Sequence, residues 1–278
     1  MVGRKQVRGR EPLLMSSFDA VAPSFDQHRA LPDGVADTIR AAMLGALASP
    51  GGDASSTRPS LLDLGAGSGR IGWPFVAAGD EYVGVDLSGG MLRVFADRCA
   101  GDRPATLVQA DGCALPFAAA TFDAVLLVAV FGDLPDWRRL VDEARRVLRA
   151  HGSVVLGRRV IPDDGIDERM KQQLDILLPE RMTRNRRRSG RAEAAQYLAA
   201  TASATTELVA ASWRTKRSPR AFLDRHAGGV RFSRLPLTVR NDALRALARW
   251  AEAQFGSLDA KIAETHRFEI QLFRFEGD

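Results

Sequence analysis

Two features in the first half of the chain have residue types and spacing suited to holding a nucleoside. Leu61-Leu-Asp-Leu-Gly-Ala-Gly-Ser-Gly69 places three alternating glycines directly after a short apolar run. Glycines at a strand-to-helix turn permit a tight bend and close approach of the backbone, and the helix start that follows offers free N–H groups. Asp86 lies 21 residues after Gly65, at the end of a second apolar run. A carboxylate there presents two oxygens with open lone pairs, which suits a pair of ribose hydroxyls. The dinucleotide fingerprint G-x-G-x-x-G/A requires a small third residue; Arg70 stands there, so that fingerprint fails.

The elements that must position these residues are legible from apolar periodicity. Short strands are expected over Leu61 to Leu64, Tyr82 to Val85, Thr106 to Gln109, Phe122 to Val130 and Ser153 to Leu156. Helices are expected over Val35 to Leu47, Ile71 to Ala78, Met91 to Arg98 and Trp137 to Arg149. This alternation predicts βαβ units and a parallel sheet. The uninterrupted Val125-Leu-Leu-Val128 predicts a central strand covered on both faces. After Gly157 the rhythm breaks: Arg158 to Ser203 reads as helical and charged, Glu207 to Trp213 as a sixth strand, Pro219 to His226 and Val239 to Phe255 as helices, and Arg267 to Phe275 as a final strand.

Five segments in order, from Leu61 to Val155, resemble class I S-adenosylmethionine-dependent methyltransferases of the ubiquinone/menaquinone-methyltransferase-like branch. They are the D-L-G-x-G-x-G turn at Asp63, the Asp86-Leu-Ser-Gly-Gly-Met-Leu92 stretch, Asp111-Gly-Cys-Ala-Leu-Pro-Phe117, Ala120-Thr-Phe-Asp-Ala-Val125, and Arg146-Val-Leu-Arg-Ala-His-Gly-Ser-Val-Val155. In the last, Ala150 and His151 replace the usual proline and glycine. The resemblance implies S-adenosylmethionine as cofactor and S-adenosylhomocysteine as product. It places Asp63, Gly65, Ala66, Gly67, Arg70, Asp86, Leu87, Met91, Asp111, Gly112 and Val128 at the cofactor. Leu87 would pack on the adenine, and Asp111 would accept from its amino group, a hydrogen-bond donor. A weaker likeness covers Ala22-Pro-Ser-Phe-Asp-Gln-His-Arg29, where Phe25, His28 and Arg29 would lie toward the acceptor.

The implied fold is a doubly wound, mostly parallel seven-stranded α/β sheet with a helical insertion after strand five. We divide it into a basic tail (1–15), a cofactor-binding core (16–157), a helical cap on the substrate side (158–203) and a C-terminal part of the same domain (204–278). The implied function is in-line methyl transfer to a small-molecule acceptor. No catalytic base is assigned, because positioning and exclusion of water can carry such a reaction. Phe131 is a further candidate for facing the acceptor; Asp133 reads better as a turn residue before Pro135. The N/D-P-P-Y/F motif of enzymes that methylate exocyclic or amide nitrogens is missing after the fourth strand.

The remaining signals narrow the class. His28, His151, His226 and His266 show no metal-ligand spacing, so no metal is expected. Cys99 and Cys113 are too few for a disulfide framework and fit a reducing, cytoplasmic setting. Cys113 reads as a small buried residue, and Cys99 as lying on a surface helix. No stretch reaches the 18 or so apolar residues that a membrane-spanning helix needs. The net charge is +5, but Lys5, Lys171, Lys216 and Lys261 are the only lysines among 39 basic residues. That arginine skew weakens charge as evidence for nucleic acid. The run Arg181, Arg184, Arg186, Arg187, Arg188 and Arg191 has three readings: a solvated helix end, a site for an acidic small molecule, or an RNA-binding patch. Two alternatives follow, an RNA-modifying methyltransferase using that run and a non-catalytic cofactor-binding relative. A dehydrogenase is a weak third.

Overall fold

The computed structural model describes residues 18–19, 22, 25–26, 30–48, 58–99, 104–131, 134, 136–178, 190–227 and 236–276. His28, Arg29, Asp133, the basic tail and the arginines from 181 to 188 lie outside these residues.

The apolar runs after residue 60 form the strands their composition predicts. In chain order the elements are α1 (Val35–Leu47), β1 (Leu61–Leu64), α2 (Trp73–Ala77), β2 (Tyr82–Asp86), α3 (Gly89–Arg98), β3 (Thr106–Gln109), β4 (Phe122–Val128), α4 (Trp137–Val147) and β5 (Leu148–Val160). They continue with α5 (Ile166–Leu177), α6 (Gly190–Ala199), β6 (Ala204–Arg217), α7 (Pro219–Ala227), α8 (Leu237–Phe255) and β7 (Ile262–Arg274). The seven strands join in one sheet in the order β3-β2-β1-β4-β5-β7-β6. β1 to β5 run parallel, and β7 is antiparallel to both β5 and β6. Strand order reverses between β1 and β4, so their carboxyl ends flank the crevice where open α/β sheets take ligands. β4 is the expected central strand, with Leu126 and Leu127 both fully buried on opposite faces.

Two apolar clusters cover the sheet. One joins α4 and α6 to it through Leu140, Val141, Ala144, Ala194 and Leu198. The other joins α1, α2 and α3 through Ile39, Met43, Phe75 and Phe95. A third cluster stands apart and contains no strand residue: Met170 and Leu174 of α5 pack on Phe222 of α7 and Leu247 of α8. The segment expected as a cap therefore divides. α6 belongs to the sheet's own helical layer, whereas α5 packs with helices from the β6–β7 connection. β6 and β7 are longer than expected because they form a 13-residue antiparallel pair from Ala204↔Arg274 to Arg217↔Ile262. That pairing supplies backbone hydrogen bonds where the apolar alternation fades.

His151 has φ +61° at the start of the regular part of β5. A left-handed residue with a Cβ costs about 1–2 kcal/mol; glycine avoids that at an entropic cost of about 0.5–1 kcal/mol. His151→Gly should therefore raise unfolding stability by up to about 1 kcal/mol, read as a higher urea midpoint at unchanged slope. A lower midpoint would show that the imidazole makes a contact worth more than the strain.

Candidate functional site

The glycine turn is built on a small buried hub. The Tyr82 hydroxyl donates to Asp63 Oδ2 at 2.7 Å. The Tyr82 ring stacks on Phe75 (5.9 Å between centroids) and meets Phe95 edge-on (6.0 Å). These rings fill the space under the turn. A Cβ on Gly69, which has φ +78°, would lie 2.2 Å from Phe95, and one on Gly72 2.1 Å from the Tyr82 hydroxyl. Gly65 (φ +82°) and Gly67 (φ +56°) also need the left-handed region, so all three glycines of the motif are required by backbone geometry. The turn then hangs from β2, with the N–H groups of Gly65 and Ala66 both donating to the Val85 carbonyl at 2.8 and 3.0 Å.

Asp86 ends β2 and faces this turn. Its Oδ2 accepts from Gly67 N–H at 2.9 Å and its Oδ1 from Ser88 N–H at 2.8 Å. Burial raises its pKa, opposed by these backbone donors. The Leu87 N–H adds a third, weaker backbone interaction, and the carboxylate's lone pairs are not all taken by these donors. Leu87, the next residue, is 39% exposed although apolar. Met91 is buried, and its Cε would lie 3.4 Å from a Cβ on Gly67. Asp63 is 2% exposed, and its Oδ1 has no hydrogen-bond partner among the described residues. Burial pushes its pKa up to about 6, against the Tyr82 hydrogen bond.

The structure thus brings together Asp63, Gly65, Ala66, Gly67, Asp86, Leu87 and Met91 at the ends of β1 and β2. Asp111 ends the next strand, where its Oδ1 accepts from Cys113 N–H at 2.9 Å. Gly112 is held beneath Leu140, whose Cδ1 would lie 2.6 Å from a Cβ there. Val128 closes β4 against Gly157. Ala129 follows with φ +55°, a strained conformation of the kind found at ligand sites. Val130 then turns back over Gly65, its Cγ2 3.1 Å from where a Cβ would stand. Phe131 is 4% exposed and packs in the cluster beneath α4 with Leu140, so its ring is placed in the core. Cys99 corrects the expectation of a surface position: it caps α3 and is 4% exposed, against Phe95 and Phe75. No group of three His, Cys, Asp or Glu able to hold a metal occurs among the described residues. None of their helices is long and apolar enough to cross a membrane.

Two aspartates escaped the sequence reading. Asp26 accepts from Ser68 Oγ of the glycine turn at 2.7 Å and pairs with Arg98. The Arg70 Nε lies 3.7 Å from Asp26 Oδ1, and its guanidinium is 5.8 Å from the Phe25 ring centre. Asp19 accepts from Ser88 Oγ and from Gly90 N–H at the start of α3. Those donors hold its pKa below the usual carboxylate value. The N-terminal segment is thereby tied to the turn after β1 and to the helix after β2. Each aspartate follows a phenylalanine, Phe18 and Phe25, but a Phe-Asp pair is too common to mark a site.

This arrangement is an α/β domain whose candidate site lies at its topological switch point. Residues 62–156 match the methyltransferase domain family. The demethylmenaquinone methyltransferase of Clavibacter sepedonicus is 34% identical over 140 residues, which are 50% of this chain and 55% of that protein. The chain thus spans little more than half the length of such relatives. Among solved structures, the YcgJ protein of Bacillus subtilis superposes with a TM-score of 0.55 at 19% identity, covering 87% of this chain and 99% of that one. The [4+2]-cyclase SpnF does so with 0.53 at 16% identity, covering 95% and 96%. Residues 62–156 are thus similar to the class I S-adenosylmethionine-dependent methyltransferases of the quinone-methyltransferase-like branch. The family's cofactor fits the residues present. The orphaned Asp63 oxygen, the Asp86 carboxylate and the exposed Leu87 face are compatible with a charged, ribose-bearing purine nucleoside.

The Asp63 carboxyl has a testable signature. Its folded pKa of about 6 lies above the unfolded value of 3.8. The folded state therefore binds more protons between those values, and stability falls as pH rises through that window, then levels above about pH 6. The shift corresponds to on the order of 3 kcal/mol. Asp63→Asn lacks this titration, so its unfolding free energy should gain on wild type from pH 4.5 to pH 7. Parallel pH profiles in urea titrations would mean that Asp63 is not the titrating group.

Proposed function

We propose that the protein transfers the methyl group of S-adenosylmethionine to a small-molecule acceptor. The observation that carries this reading is the Asp86 carboxylate. It ends β2, faces the glycine turn with only backbone donors upon it, and is followed at once by the exposed Leu87. A vicinal diol and an adenine face are the complement of that pair.

The cofactor supplies a methyl group already activated on a positively charged sulfur. The chain's own work is to bind, orient and exclude water. Asp86 would hold the ribose hydroxyls and Leu87 the adenine face. Asp111 would accept from the adenine amine. Asp63 and the turn Gly65-Ala-Gly67 would shape the methionine end. Asp19 and Asp26 fasten the N-terminal segment beside the turn, which favours a dry site and a fixed line of attack. The fold alone does not decide the reaction, since a cyclase shares it. Demethylmenaquinone, named for a relative, is a rational first acceptor to test. Neither the RNA-directed nor the non-catalytic reading has an observation in its favour.

Calorimetric titration with S-adenosylmethionine and S-adenosylhomocysteine, with NADH as control, tests the proposal. Both sulfur ligands should bind and NADH should not. Asp86→Ala removes hydrogen bonds to a charged acceptor, worth about 1.5–3 kcal/mol, so affinity should fall about 10- to 100-fold. Because burial raises the Asp86 pKa, binding should also weaken on acidification before ordinary carboxylates titrate. Absence of binding by both ligands would sink the reading.

A further inference from the structure

Arg191 is the one residue of the arginine run at 181–191 that lies among the described residues, and its surroundings are unusual. It stands at the start of α6, whose first residue, Gly190, is pressed against Trp137 at the start of α4: a Cβ on Gly190 would lie 2.7 Å from the Trp137 ring. Its Nε is buried without a hydrogen-bond partner among the described residues. Burial lowers its pKa, and the charge of Arg158 lowers it further, while Glu269 and Glu207 oppose the shift. A guanidinium that is partly desolvated, with its Nε unsatisfied and a like charge nearby, is costly as it stands.

The neighbours make a set. Arg158 donates to Glu269 Oε2 at 3.0 Å and is half-exposed, and the Arg267 Nη2 lies 3.4 Å from the other Glu269 oxygen. The second nearby carboxylate, Glu207, is engaged by the Gln271 amide. Three guanidiniums therefore share the field of two carboxylates, and one of them, Arg191, has its Nε buried without a hydrogen-bond partner among the described residues. The place also matters. Gly157 pairs with Val128, the last residue of β4, and Arg158 pairs with Glu269 on β7. Arg158 is thus one residue, about 3.3 Å, beyond the level where β4 ends beside the crevice. That is the carboxyl-end side of the sheet, away from β2 and Asp86, where an acceptor must approach.

We propose that Arg158 and Arg191, backed by Arg267, hold an acidic group of the methyl acceptor, a carboxylate or a phosphate. The proposal rests on the methyltransferase reading above and narrows it to an anionic acceptor, which demethylmenaquinone is not. An oxyanion would give the Arg191 fork the partner it lacks and would separate it from Arg158.

The test uses the full chain and two simple probes, inorganic phosphate and benzoate, titrated calorimetrically against sodium chloride at matched ionic strength. S-adenosylhomocysteine is titrated in parallel. Wild type should bind at least one probe saturably. Arg191→Gln and Arg158→Gln should each weaken that binding at least tenfold while leaving S-adenosylhomocysteine affinity unchanged. Arg245→Gln, an exposed change on α8, should alter neither. Phosphate alone binding would assign a phosphate-bearing acceptor, and benzoate alone a carboxylate. If Arg191→Gln does not fold, the half-exposed Arg158→Gln carries the test. Two results would overturn the proposal: no saturable binding of either anion to a protein that binds S-adenosylhomocysteine, or equal anion affinity in the folded variants. Anion binding without S-adenosylhomocysteine binding would instead overturn the methyltransferase reading and leave the anion site standing.

Discussion

The hydrogen bond from the Tyr82 hydroxyl to Asp63 is the interaction on which the site depends. It lets a carboxyl sit in the middle of a buried strand, directly under the glycine turn. It also fixes the Tyr82 ring, and through it Phe75 and Phe95, as the floor of that turn. Because the floor is full, the residues above it can have no side chain at Gly69 or Gly72. The glycines are therefore dictated by packing from below as much as by any ligand above. The second Asp63 oxygen has no partner among the described residues, which is a cost to the empty fold and an asset to a site for a cationic ligand.

Around this hub the site is closed by short polar ties rather than by apolar burial. Asp86 fastens the glycine turn to the end of β2, and Asp19 and Asp26 fasten the N-terminal segment to both. Such ties are directional.

The acceptor side is organised differently. α6 packs into the layer of the sheet itself, while α5, α7 and α8 make a separate cluster from two distant stretches of chain. The β6–β7 pair carries that cluster. Variation in that cluster can therefore proceed without touching the β1–β4 crevice. The arginines at the end of β5 and the start of α6 stand where these two parts of the molecule meet.

The sequence by itself determined the parallel half of the fold and gathered the residues proposed for the cofactor. β1 to β4 and the helices after them are set by local apolar periodicity, and the glycines, Asp86 and Leu87 by short-range spacing, so a linear reading reaches them. It did not reach the length of β6 and β7, whose ends owe their pairing to partners 45 to 70 residues away, from Arg217↔Ile262 to Ala204↔Arg274. Nor could it see that the segment 158–203 feeds two clusters, that Cys99 and Phe131 turn inward, or that Asp19 and Asp26 reach the turn from the N-terminal side. Arg191 was visible only as one arginine in a run; its lack of a partner beside Arg158 exists only in three dimensions. The physical reason is the same in each case. Backbone conformation and amphipathic faces are local properties of the chain, whereas burial, unsatisfied polar atoms and charge proximity depend on which distant residues share the same space.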